Sequence, residues 1–407
     1  MSYLLDELRS DSAVGELFET NSVVDSYKTG IAVLDYMLGY IVEVHDDDGN
    51  VIDSYPALGI NGGCNFVDIG KSSTAKTSVL LFLAASIVRP FDNGMLIHVD
   101  LEQAMNLTRA RTMTRFTIKE MKGKYVLRQE KCTLDDLKKM IMKIYKLKTS
   151  NPRQFQYDSG RKDEFGNPII MYQPTVFIID SAPSLTIKLN ENVSKEWEKL
   201  EEIMTQTERM RLTGEVGRFY TDILPYQRAA NIIIFTINHI KVNPQMGIVK
   251  SASELLYLKQ DEALPMGKTF QYIAHYMIKH VAIGAMKFTM EDDGFDGFGI
   301  RLEIIKARSN QAGKTLDIIY DKVRGVRPIR SNIHFAKENG LTAGNRNATY
   351  FIEAKDKKFN MRTVEEFFSE NKEMYKVMYD HIIPALQTKL SHVRPEEMNI
   401  DEELMAY

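Results

Sequence analysis

Between Asn65 and Ser78 the chain reads NFVDIGKSSTAKTS, an apolar run that breaks into a small polar loop of Gly70, Lys71, Ser72, Ser73, Thr74, Ala75, Lys76, Thr77 and Ser78. Lys76 and Thr77 stand at the distance from Gly70 that the pattern G-x-x-x-x-G-K-[ST] requires. In such a loop consecutive backbone N–H groups surround a phosphate, the lysine neutralises its charge and the next hydroxyl binds magnesium. Ala75 departs from the pattern, because a glycine there usually supplies close backbone approach and a permissive φ. The plain alternative is a Ser/Thr-rich turn leading into a buried helix.

Phosphate chemistry also needs acids. Asp180 closes the apolar run TVFIID, where a carboxylate can organise magnesium through water. Glu102 follows the run GMLIHVD, where it can polarise an attacking water; the alternative is an acid favoured by a helix dipole. Asn238 and His239 end the run IFTINH, which should open on the same face as the loop and makes them candidate γ-phosphate sensors, or else ordinary surface residues.

The elements that must hold these groups alternate. SVLLFLAASIV after the loop reads as a buried helix and Gly94 to Asp100 as a strand. A helix near Leu134 to Leu147, a strand at Thr175 to Asp180, a helix within Glu201 to Arg228 and a strand at Asn231 to Asn238 follow. Repeated βα units predict an α/β fold with a mostly parallel central sheet covered on both faces. Runs at Tyr276 to Met290, Gly299 to Ser309 and Thr315 to Tyr320 read as antiparallel additions to one edge. Tyr40 to Tyr55 reads as a hairpin with an acidic turn, and Lys148 to Pro174 as an inserted surface hairpin. The first seventeen residues read as a short amphipathic helix. From about Arg330 a small α+β unit is expected, with helices at Thr363 to Glu370 and Lys372 to Lys389 and an acidic end.

Composition narrows the classes. The 407 residues are 44% hydrophobic, enough to bury one large core, and the net charge of −3 supplies no bulk attraction to nucleic acid. Cys64 and Cys132, with no pairing motif, suit a reducing compartment and exclude a cysteine-built metal site. Met1 to Ser10 does not read as a signal peptide, and no apolar run reaches the ~20 residues of a membrane span. A cytoplasmic protein is expected.

The order GKSSTAKTS, HVDLEQA, VFIIDSAPSLT, IFTINHI and EIIKARSN resembles the P-loop ATPase core of RecA/UvsX-type strand-exchange recombinases, the bacteriophage branch in particular. That branch also tolerates a non-glycine before the loop lysine. The stretch Leu17 to Asp35 resembles the segment that joins neighbouring subunits, and Glu338 to Leu386 is similar to the terminal domain. The resemblance implies an N-terminal helix and polymerisation linker over 1–28, a RecA-like core over 29–329 and a small C-terminal domain over 330–407. It also implies ATP and Mg2+ as cofactors, with Lys76 and Thr77 as phosphate and magnesium ligands. Glu102 would activate water, Asp180 would hold magnesium through water, and Asn238 and His239 would link γ-phosphate to DNA. Arg109 falls where the family stacks a side chain on adenine. Lys306 and Arg308 match basic residues that reach the neighbouring subunit's ATP, and Phe18 would insert into the adjacent subunit.

For DNA the resemblance implies two loops. One corresponds to Ile240 through Met266, with Lys241, Met246, Ile248, Lys250 and Tyr257; the other lies within Thr186 to Gly217, with Lys188, Lys195 and, at its end, Arg218 as candidates. Cations that track phosphates and apolar groups between bases would bind single strands with little sequence preference. The implied partners are single- and double-stranded DNA, further copies in a helical filament, a recombination mediator and a single-strand-binding protein, with no membrane. A replicative helicase on the same fold and an ATP-clamped regulatory filament are the alternatives.

Overall fold

The computed structural model describes residues 25–46, 48–186, 206–242, 255, 257–259, 261–283, 297–307 and 312–390. At its centre stands a nine-stranded sheet built from β1 (Asn65–Gly70), β2 (Met95–Asp100), β3 (Tyr125–Arg128), β4 (Thr175–Asp180), β5 (Ile232–His239), β6 (Tyr276–Ile283), β7 (Gly297–Ala307), β8 (Thr315–Asp321) and β9 (Gly325–Val326). The spatial order is β9-β8-β7-β6-β1-β5-β4-β2-β3. From β3 to β6 every neighbouring pair is parallel, and β7, β8 and β9 add antiparallel. β6 therefore differs from the expectation that the strands after residue 275 are all antiparallel additions. The helix Gly267–Ile273 precedes it and returns the chain beside β1 in parallel register, Tyr276 opposite Phe66.

Burial on both faces explains why the central strands are near-continuous apolar runs: every residue of β1 and β4 is buried. On one face lie α1 (Ala32–Leu38), α2 (Lys76–Val88) and α3 (Leu107–Thr114); on the other lie α4 (Leu134–Ser150), α5 (Gln206–Ala229) and α6 (Gly267–Ile273). α2 is apolar around most of its circumference and passes through the larger cluster. α4 begins with a capping box, in which Thr133 accepts from the Asp136 amide and Asp136 accepts from the Thr133 amide.

The chain after β9 continues through α7 (Pro328–Glu338), α8 (Val364–Glu370) and α9 (Glu373–Leu390). Ile333, Phe335, Phe368, Met378 and Ile382 belong to the same apolar cluster as Leu34 and Phe82, so the core runs unbroken across residue 330. The hairpins Tyr40–His45 with Val51–Ala57 and Gln156–Lys162 with Pro168–Tyr172 stand outside the sheet. Tyr55 OH donates to Lys162 O at 2.7 Å and ties them together. No helix among the described residues is long and apolar enough to cross a membrane.

Candidate functional site

The register brings four strand ends together. Asp180 is level with Asp100 across β4 and β2, and His239 is level with Gly70 across β5 and β1. The C-terminal ends of adjacent parallel strands form the crevice where α/β folds bind ligands.

The loop after β1 is tightly built. A Cβ on Gly70 would lie 2.9 Å from His280 O and 3.0 Å from Thr74 Oγ1, so this position takes glycine for space. Ser73 and Ala75 both adopt left-handed φ, 63° and 59°. The pattern's glycine position thus has the backbone that glycine favours, although alanine occupies it. No side chain caps the N-terminus of α2 and no acid stands in its first turn, which leaves its first amides toward an anion.

Lys76 is buried, and its Nζ donates to Gly70 O at 3.1 Å and Lys71 O at 2.7 Å. Burial pulls the Lys76 amine below its ordinary range, and the carboxylates of Asp68, Asp180 and Glu102 oppose that shift. Thr77 Oγ1 donates to Asp180 Oδ2 at 2.6 Å. Thus the loop's hydroxyl meets Asp180, whereas its lysine is held by two backbone carbonyls of the loop itself.

Glu102 is placed by its neighbours. Asp100 Oδ2 accepts from the Met105 amide at 2.8 Å and from Gln129 Nε2 at 2.9 Å, which fixes the turn after β2. Ser181 Oγ donates to Glu102 Oε1 at 2.7 Å, and His239 Nε2 lies 3.2 Å from the same oxygen. Glu102, Asp180 and His239 bring one ligand atom each within 4.8 Å of one another, a donor set able to hold a divalent ion. Burial lowers the His239 pKa, Lys76 adds to that effect, and Glu102 and Asp180 work against it.

Asn238 faces elsewhere. Its Nδ2 donates to Pro265 O at 2.6 Å, because successive strand residues point to opposite faces. Of the two expected sensors, His239 joins the acids and Asn238 anchors the chain that returns to α6. Arg109 stands exposed on α3, its amide bound to the Asn106 side chain that caps that helix. Lys306 is level with Met277, itself level with Val67, so it stands toward the sheet edge remote from Gly70. There its Nζ donates to Gln271 O at 2.7 Å.

Among the DNA candidates, exposed Lys241 opens a short antiparallel pair in which Lys241–Val242 meets Glu262–Ala263. Tyr257 O accepts from Lys279 Nζ at 2.9 Å. Arg218 is exposed on α5 and lines a cavity of about 310 Å³ between α4 and α5 with Lys138 and Asp222. Phe18, Lys188, Lys195, Met246, Ile248, Lys250 and Arg308 lie outside the described residues.

Several residues at the site were not singled out from the sequence. His280 Nδ1 lies 3.2 Å from Thr74 O, and its Nε2 lies 3.1 Å from Asp68 Oδ1. Burial pushes His280 down to about 3 and Asp68 well above the carboxylate range. Thr74 O is a carbonyl and can only accept, so the geometry at that contact calls for a proton on His280 Nδ1. The signal was present as charged or polar residues inside apolar strands, Asp68 in NFVDIG and Lys279 with His280 in MIKHVAI. Glu262 was likewise passed over, though it pairs with Lys71 at 3.3 Å and Lys279 at 3.4 Å.

No protein-family model matches the chain, and a search of curated proteins finds no match.

Proposed function

We propose that this chain is an ATP-dependent recombinase that polymerises on single-stranded DNA, pairs it with a homologous duplex and exchanges strands, hydrolysing ATP to release the product. Its core in this reading is a RecA-like P-loop ATPase. The observation that carries the reading is the convergence of Lys76, Thr77, Asp180, Glu102 and His239 on one sheet edge, in the chain order of the recombinase pattern.

The residues present fit a nucleotide with magnesium. Lys76 offers a buried ammonium whose partners in this structure are two backbone carbonyls, and the free first turn of α2 offers amides to a phosphate. Thr77 and Asp180 supply the hydroxyl and carboxylate oxygens that magnesium prefers. Magnesium, when bound, would draw charge from the phosphate oxygens. Glu102 would orient a water and accept its proton, while Ser181 and His239 hold the carboxylate in place. Lys306 lies away from its own chain's cluster, which suits action on a neighbour's nucleotide in a head-to-tail filament.

The test is joint-molecule formation between circular single-stranded DNA and linear duplex. The reading expects products with ATP and magnesium when the sequences are homologous and none when they are unrelated. Filaments on DNA that never yield joint molecules from homologous substrates would overturn strand exchange as the function.

A further inference from the structure

The hairpins outside the sheet join the chain at the end of the strands remote from the candidate site. Ala57 leads toward Asn65 and Tyr172 toward Thr175, the first residues of β1 and β4, whereas Gly70 and Asp180 close those strands at the site. Neither hairpin lies in the stretches that carry the recombinase resemblance.

Their tips are joined and anchored. Tyr55 OH donates to Lys162 O, the His45 amide donates to Glu164 O at 3.0 Å, and the Arg161 guanidinium lies 5.4 Å from the centre of the Tyr55 ring. Tyr157 OH and Arg161 Nη1 each donate to an Asp25 carboxylate oxygen at 3.0 Å, and Tyr157 OH lies 2.6 Å from the hydroxyl of Tyr27 in the core.

Val42, Val44 and Ile169 are buried, so the hairpins pack apolar side chains inward, yet a second apolar set faces out. The register shifts between Val44 and His45, so that Val51 is level with His45 and Ile52 is the extra residue of a bulge. Phe165 follows Glu164, whose carbonyl holds His45, and therefore stands at the same junction. Val51 is 47% exposed, Ile52 58% and Phe165 74%. Asp46, Asp48, Asp53 and Glu164 are exposed beside them. Lys162 is an exposed cation here, but Arg161 is taken up by Asp25 and Tyr55.

We infer that the joined hairpin tips are a docking surface for a partner protein that presents a basic segment carrying apolar side chains. Phe165, Ile52 and Val51 are the anchors, and the acids form the charged rim that selects the partner and steers it in. The same acids repel nucleic-acid phosphates and anionic lipid surfaces. A second copy meeting the surface tip to tip would set acid against acid. The partner docks at the opposite end of β1 and β4 from Lys76 and Thr77, so this surface stands whether or not the loop takes a nucleotide.

The experiment measures fluorescence anisotropy of a short labelled peptide alternating lysine with leucine, titrated with the full chain, beside a counterpart with glutamate in place of lysine. The native chain is expected to bind the lysine peptide alone, and less tightly as salt rises. Phe165→Ser with Ile52→Ser is expected to weaken that binding at least about tenfold, and Asp53→Asn with Glu164→Gln severalfold at low salt and less at high salt. Urea midpoints close to the native one show that the variants fold; if the serine pair does not, the charge pair carries the decision. Native affinity in either folded double variant overturns the surface, and so does a native chain that binds neither peptide or both alike. Association of the native chain with itself, without DNA or nucleotide and lost in the serine pair, would give the surface to a second copy and overturn the proposal.

Discussion

The hydroxyl of Thr77 donates to Asp180 Oδ2 across 2.6 Å, joining the first turn of α2 to the end of β4. The two residues are far apart in sequence, with β2, β3 and the Gln156–Tyr172 hairpin between them in the chain, yet the sheet order returns β4 to the loop's side. This contact places the loop's hydroxyl and the acid where one divalent ion could reach both.

Thr77→Ala should therefore weaken magnesium-dependent nucleotide hydrolysis by about 10- to 100-fold, the usual effect of losing an oriented partner at a metal site. Thr77→Ser retains the hydroxyl and should stay close to the native rate. Rates measured across a magnesium titration check this, the alanine variant needing more magnesium.

Glu102 is held by Ser181 Oγ at 2.7 Å and by His239. Glu102→Gln should lower kcat by about 10²- to 10⁴-fold, the range of general-base catalysis, and retain nucleotide binding. Ser181→Ala should cost less, since it loosens the carboxylate without removing it. Single-turnover hydrolysis beside equilibrium binding separates these effects.

Ala75 adopts φ 59° at the N-terminus of α2. Left-handed backbone costs a non-glycine residue about 1–2 kcal/mol, and glycine's looser unfolded chain returns about 0.4–1 kcal/mol of that. Ala75→Gly should therefore stabilise the fold by roughly 0.5–1 kcal/mol, read as a higher urea midpoint at unchanged slope.

The strands were legible because burial on both faces leaves an unbroken apolar run, as in TVFIID and IFTINH, and the strand-end acids followed from it. The direction of β6 was not legible, since an apolar strand reads alike in parallel and antiparallel pairing, and the preceding α6 decides. The division of labour between Asn238 and His239 was hidden for a related reason: alternation sends one to the acids and the other to Pro265 O. Glu262 escaped notice because its partners, Lys71 and Lys279, meet it only through tertiary structure. The boundary at residue 330 rested on a change of pattern, whereas apolar side chains on either side of it share one cluster.

Asp35 is buried in α1, accepting from Thr29 N and Thr29 Oγ1, each at 2.6 Å. Burial pushes it up to about 7, against the Thr29 hydrogen bonds. A raised carboxyl contributes stability that is complete below the ordinary carboxylate pKa and is lost as pH rises through the folded value. Asp35→Asn keeps an acceptor and cannot ionise. Its stability relative to the native chain should therefore climb between about pH 4 and pH 7, by up to roughly 4 kcal/mol, and level off above that window. Urea unfolding of both chains across this range gives the difference, and a flat difference would contradict the assignment.

The most direct test of the central claim is ATP hydrolysis with and without single-stranded DNA, followed with light scattering for the native chain and Glu102→Ala. The account predicts that DNA stimulates native turnover strongly, and that Glu102→Ala assembles on DNA with ATP but does not turn it over. Hydrolysis indifferent to DNA, with no assembly, would contradict it.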